Sequence, residues 1–161
     1  MKTEPLRALI LSLAFAAGSA FAAGDPGASV APRAPKDPVL ERVAAATSQK
    51  DWAGAQSILK DALERNPRNA DYHNLYAYSI RKGANPDMNL VFKHYNEALN
   101  IDPKHREAHE YAGEAYLMVG NVAKAKEHLA ELDRICFFSC SEFTDLKNAI
   151  ADYEKTHAAA R

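Results

Sequence analysis

The chain has 161 residues, enough for one domain, and its 47% hydrophobic and 25% charged residues are ordinary for a protein that folds in water. Its formal charge of −1 is spread without a basic block, which leaves no electrostatic footprint for nucleic acid or for an anionic membrane. Both partner classes are disfavoured from the outset.

The first segment, Met1–Ala22, reads as a cleavable secretory signal. Lys2 and Arg7 supply a positive start, Leu9–Ala17 an apolar run, and Ala20-Phe21-Ala22 an A-x-A cleavage site. The run is shorter than the roughly 20 apolar residues of a membrane span. No cysteine follows it, so a lipid anchor is not expected. Cleavage after Ala22 would remove Lys2, Arg7 and Glu4 and leave 18 basic against 20 acidic residues. Ala23–Lys36, rich in Pro, Gly and Ala, has almost nothing to bury and reads as a flexible leader.

From Asp37 onward the pattern turns helical. Asp37-Pro38 is a cap followed by proline at the first helical position, opening a short helix over Pro38–Ser48. A partner follows over Asp51–Arg65, where the bulk of Trp52 is expected to close one end of the stack. Ala70–Lys82 and Pro86–Asn100 form the next pair, with Asn85-Pro86 expected to repeat the cap-then-proline start. Asp102–Asp133 carries two more helices, joined by a turn at Gly120-Asn121. A last helix near Ser141–Thr156 has an apolar stripe at Phe143, Leu146, Ile150 and Tyr153. Ser139 and Glu142 have the spacing of its capping box.

The pairs repeat one plan. Asp61-Ala-Leu-Glu-Arg-Asn-Pro67 parallels Glu97-Ala-Leu-Asn-Ile-Asp-Pro103, 36 residues apart. Ala55-x3-Leu59, Val91-x3-Tyr95 and Ala125-x3-Leu129 hold the same place in successive units, and His109, Ala112, Gly113 and Tyr116 share one helical face. These residues resemble the tetratricopeptide repeat, whose W-x2-L-G-x2-Y, A-x3-F and closing Pro recur about every 34 residues. The resemblance spans residues 37–135 and departs from the pattern where Arg42-Val43 stands in the Leu-Gly place. It implies an all-α solenoid of three helix-turn-helix repeats, about residues 37–67, 70–103 and 104–136, closed by a capping helix near 141–156. With its Cys-Phe-Phe-x-Cys turn, the C-terminal part is similar to small exported bacterial tetratricopeptide proteins. That likeness implies a fold and carries no activity with it.

Candidate chemistry is sparse. Cys136 and Cys140 are the only cysteines, and in an exported chain a disulfide between them is the expected state. Four residues of helix rise about 6 Å, within the Cα separation a disulfide accepts. The rival readings of C-x3-C are a redox couple, which lacks a thioredoxin-like context, and a Cu(I) site. His105 and His109 stand four apart, as zinc ligands often do, but the intervening residues are not those of H-E-x-x-H and no third ligand can be named. No nucleophile elbow, phosphate loop or dinucleotide turn is present. Neither an enzyme nor a resident cofactor or metal is expected.

What remains is the inner face of the repeats. Helical spacing places Asp71, Asn74, Tyr78 and Arg81 on one stripe and Glu107, Glu110, Glu114 and Leu117 on the next. The plain reading of the glutamates is a solvated acidic face. The functional reading is an acidic wall for a basic or amine-bearing peptide, with Asn74 or Arg81 placed to hold main chain or carboxylate. The expectation is a non-catalytic interaction scaffold, periplasmic or secreted, that binds a short segment of another protein. The alternatives are a thiol- or copper-handling protein and a subunit that stacks end to end.

Overall fold

A computed structural model describes residues 36–138 and 140–158. The expected signal segment, all but the last residue of the leader, and Ser139 of the expected capping box lie outside the described residues. Seven α-helices account for the regular structure of the described part: α1 (Pro38–Ser48), α2 (Trp52–Arg65), α3 (Ala70–Arg81), α4 (Met88–Ile101), α5 (Arg106–Met118), α6 (Val122–Ile135) and α7 (Ser141–Ala158). It is an all-α protein.

The starts of α1 to α6 each have a chemical cause. The first N–H groups of a helix have no partner inside it, and a short polar side chain just ahead of them satisfies one or two. Asp37 accepts from Val39 at 2.8 Å, Asp51 from Gly54 at 2.9 Å, Asn69 from Tyr72 at 3.0 Å and Asn121 from Lys124 at 3.1 Å. His105 plays the same part for α5, its Nδ1 accepting from the Ala108 amide at 3.3 Å. For α4 the expected start at Asn85-Pro86 is corrected. Asp87 is the cap, its Oδ1 accepting from Asn89 at 3.0 Å and Leu90 at 3.2 Å, so Pro86 stands before the helix rather than at its first position. Gly120, with φ of +76°, makes the left-handed turn that ends α5 and leads into α6.

Consecutive helices pack on one another, and α5 also packs on α7 and α3. Three local cores result. Val43, Ala55, Leu59 and Ala62 meet Tyr72, while Ala77 and Ile80 meet Val91, Tyr95, Ala112 and Ala115. Leu117, Ala125 and Leu132 meet Leu146 and Ile150. The small-then-large positions noted in the sequence fill these cores: Ala55 with Leu59, and Val91 with Tyr95, are fully buried. Gly113 has a different task. A Cβ built there would lie 2.6 Å from Cδ2 and 2.7 Å from Cδ1 of Leu146, so α7 can seat on α5 only because that position has no side chain.

Cys136 and Cys140 are bridged, with Cα atoms 5.8 Å apart, and the bridge ties the end of α6 to the start of α7. The α2–α3 and α4–α5 links are polar Asn-Pro-Arg-Asn and Asp-Pro-Lys-His turns. The α6–α7 link instead displays Phe137 and Phe138, 92% and 82% exposed.

Candidate functional site

The two stripes expected from spacing meet, because α3 and α5 run side by side with a fixed offset. Asp71 Oδ1 lies 3.2 Å from His105 Nε2. The rings of Tyr78 and Tyr111 are 4.8 Å apart, and Arg81 Nη2 lies 2.7 Å from Glu114 Oε2. The sequence offsets of these pairs are 34, 33 and 33 residues. Asn74, between Asp71 and Tyr78 on its stripe, therefore falls opposite the Glu107–Tyr111 turn of α5.

Side chains on these stripes divide into those with internal partners and those without. Arg81 is buried. It pairs with Glu114, donates from Nε to the Tyr95 hydroxyl at 3.3 Å, and carries its guanidinium over Tyr78 and Tyr111 at 5.5 and 5.6 Å. Tyr95, Glu114 and these bonds keep the guanidinium firmly charged against the opposing effect of burial. Glu107 lies 3.4 Å from His105 Nδ1. That nitrogen already accepts from the Ala108 amide, so the His105 proton sits on Nε2, which faces Asp71 without hydrogen-bond alignment. Leu117 is mostly buried in the α5–α7 core and also lines the depression beside Arg81 and Glu114.

Glu110 departs furthest from a solvated acidic face. It is buried, and its pKa is pushed up to about 7, first by burial and then by Glu114, Asp145, Glu142 and Glu107. Asn74 is 3% exposed, and its Oδ1 finds no donor among the described residues. A buried acceptor without a donor costs about 1–3 kcal/mol. The α3–α5 face thus keeps one unmatched acceptor, one unmatched donor at His105 Nε2, and one carboxyl poised to take or give a proton near neutrality.

The site is wider than the two stripes. A depression of about 590 Å³ continues from Arg81 and Glu114 past Met118 to Ala149, Asp152 and Tyr153 of α7. Met118, 54% exposed, continues the Glu110–Glu114 stripe by one turn, a signal available in the spacing. The α7 contribution depends on how that helix docks, which spacing does not encode. At the other end Trp52 meets Tyr78 edge-on at 5.9 Å, extending the aromatic row to Trp52, Tyr78 and Tyr111.

The remaining candidates are engaged elsewhere. Cys136 and Cys140 have no free thiol. His109 does not join His105 as a ligand pair: it bonds to the Pro103 carbonyl at 3.1 Å and to His128 at 3.0 Å. No group of three His, Cys, Asp or Glu side chains among the described residues is placed to hold a metal ion. Nor is any helix among them long and apolar enough to cross a membrane. Comparison with known proteins returns no matching family model and no matching curated protein.

Proposed function

We propose that the seven helices form three tetratricopeptide-type repeats with α7 as a capping helix, and that the protein is a non-catalytic scaffold. The α3–α5 face, widened by α7, holds a short segment of a partner protein. The observation that carries this reading is the unmatched acceptor on that face. Asn74 offers a buried acceptor with no donor, and beside its stripe Glu110 is buried among carboxylates. Asn74 calls for a hydrogen-bond donor such as a peptide N–H, and an amine near Glu110 would favour its ionised form. The 36-residue recurrence of the His73–Pro67 and His109–Pro103 contacts supports a repeat architecture. The Cys136–Cys140 bridge and the signal-like start support export to an oxidising compartment, the bacterial envelope.

The test is site-specific photo-crosslinking in the native envelope. A crosslinker at Met118 should capture a defined protein, whereas one at exposed Lys60 of α2 should not. Asn74→Ala and Glu110→Gln should each weaken capture at Met118 without changing secondary structure. Equal capture from both positions, or capture indifferent to both substitutions, would sink the proposal.

A further inference from the structure

Four histidines form two matching pairs, each joining the helices of one hairpin. In the α3–α4 hairpin His73 Nε2 lies 2.9 Å from the Pro67 carbonyl, and its Nδ1 lies 2.8 Å from Nδ1 of His94. In the α5–α6 hairpin His109 Nε2 lies 3.1 Å from the Pro103 carbonyl, and its Nδ1 lies 3.0 Å from Nδ1 of His128. His73 and His109 are buried, and their rings pack on those of His94 and His128 at centroid separations of 5.1 and 5.2 Å.

The partners fix where the protons are. A carbonyl only accepts, so Nε2 of His73 and of His109 carries hydrogen. In a neutral ring the other nitrogen is then an acceptor, and Nδ1 of His94 or His128 must be the donor. With both rings neutral each pair therefore has one bonded arrangement, and a first proton still leaves an N–H···N bond between imidazolium and imidazole. A second proton removes the last free Nδ1 lone pair, sets two N–H groups against each other at about hydrogen-bond distance and breaks the bond. It also places two positive charges side by side in a half-buried site.

We infer that these pairs are two acid-opened clasps, which hold the α3–α4 and α5–α6 hairpins shut until both rings of a pair are protonated. The surroundings offer little to keep the second charge in place. Toward His94 face His73, the Tyr76 ring, Lys93 and Glu97. Toward His128 face His109, the Tyr116 ring, Lys124 and Glu127. Toward His109 face Glu131, His105 and Asp102 as well as the Pro103 carbonyl. Burial, then the neighbouring imidazole, then a lysine hold His94 and His128 down to about 4 against the single glutamate near each. An unfolded histidine titrates near 6.5. The unfolded chain thus binds protons that the folded chain refuses, and the loss of stability runs from pH 6.5 down to about 4. Because α3 and α5 also carry the inner-face stripes, opening the clasps would dismantle that face. The clasps themselves do not depend on whether that face binds a partner.

The experiment is urea unfolding of the full chain between pH 7.5 and 4.5, for wild type and for H94Q, H128Q and H94Q/H128Q. A glutamine amide can still donate to the His73 or His109 acceptor but does not titrate. Near pH 5 the wild-type unfolding constant should rise by up to about tenfold per pH unit for each clasp, beyond the contribution of the carboxylates. Each single variant should lose about one proton of that slope and the double variant about two. Slopes unchanged by the substitutions would overturn the inference. Should a variant fail to fold, ring NMR of the wild type decides. His94 and His128 should be Nδ1–H tautomers with midpoints below 5, and midpoints near 6.5 would refute the clasp.

Discussion

The contact between Gly113 and Leu146 makes a prediction with a change of sign in it. Replacing a mid-helix glycine by alanine ordinarily stabilises by about 0.5–1 kcal/mol, because glycine loses more backbone freedom on folding. At Gly113 the added Cβ would sit 2.6, 2.7 and 3.2 Å from Cδ2, Cδ1 and Cγ of Leu146. Leu146 is wholly buried among Leu117, Leu132 and Ile150, so it has nowhere to swing. Overpacking of this kind costs about 1–3 kcal/mol, which exceeds the propensity gain and leaves Gly113→Ala destabilising by about 1 kcal/mol. Leu146→Ala should cost about 2–5 kcal/mol through the cavity it opens. In that background the clash is gone, so the same Gly113→Ala change should stabilise by about 1 kcal/mol, an interaction energy of about 2 kcal/mol. Urea denaturation of the four proteins, with the disulfide intact, measures this through shifts in midpoint at constant slope. If Gly113→Ala has the same sign and size in both backgrounds, close approach is not what the glycine provides.

Glu114→Ala should cost about 2–3 kcal/mol, because it leaves the buried Arg81 guanidinium with only the Tyr95 hydroxyl and two ring faces; the R81M/E114A pair should recover part of that loss in the same denaturation assay. Reducing the Cys136–Cys140 bridge, which closes a very short loop, should lower stability by about 2 kcal/mol without unfolding α1–α4, as followed by hydrogen exchange. Glu110 has a folded pKa raised to about 7 from 4.5, so its contribution is full below pH 4.5 and is lost as pH rises through 7. Glu110→Gln should accordingly be stabilising at pH 8, by about 1–2 kcal/mol once partial water access is allowed for, and near neutral at pH 4.5. Calorimetric melting at the two pH values checks it.

Local rules reached the helices and missed most of what joins them. Asp37-Pro38 and the Gly120-Asn121 turn were readable because caps and left-handed turns act over two or three residues. The α4 start was misread because two acceptable caps, Asn85 and Asp87, stand two residues apart, and only the carboxylate of Asp87 reaches both Asn89 and Leu90. Spacing placed Tyr78 and Arg81 on one stripe and Glu110 and Glu114 on another. It could not show that Arg81 would find Glu114 across 33 residues, or that α7 would bury Leu117. The histidine pairs escaped for the same reason. His73 and His94 lie 21 residues apart, and only the register of the hairpin brings them together.

The division of labour on the α3–α5 face narrows what the proposed partner can look like. Asp71 and Glu107 flank the His105 ring, Glu114 holds Arg81, and Glu142 lies 3.8 Å from Arg106. Of these only Glu114 is committed to a buried partner by a close ion pair, and a ligand that took it would have to repay the pair it broke. Glu114 is therefore not open to a basic segment. The groups free to gain from contact are Asn74 Oδ1, which lacks a donor, His105 Nε2, which lacks an aligned acceptor, and Glu110, which a nearby ammonium would shift toward its ionised form. Next to them lie the apolar surfaces of Met118, Ala149 and Tyr153. The better match is a short segment with one main-chain or side-chain N–H for Asn74, a single positive charge for Glu110 and an apolar residue for the depression beside Met118. Binding of such a segment should release protons from Glu110 into a neutral buffer, because it lowers the Glu110 pKa. Calorimetry in two buffers of different ionisation enthalpy would read that release directly. A segment that binds with no proton exchange would place Glu110 outside the contact.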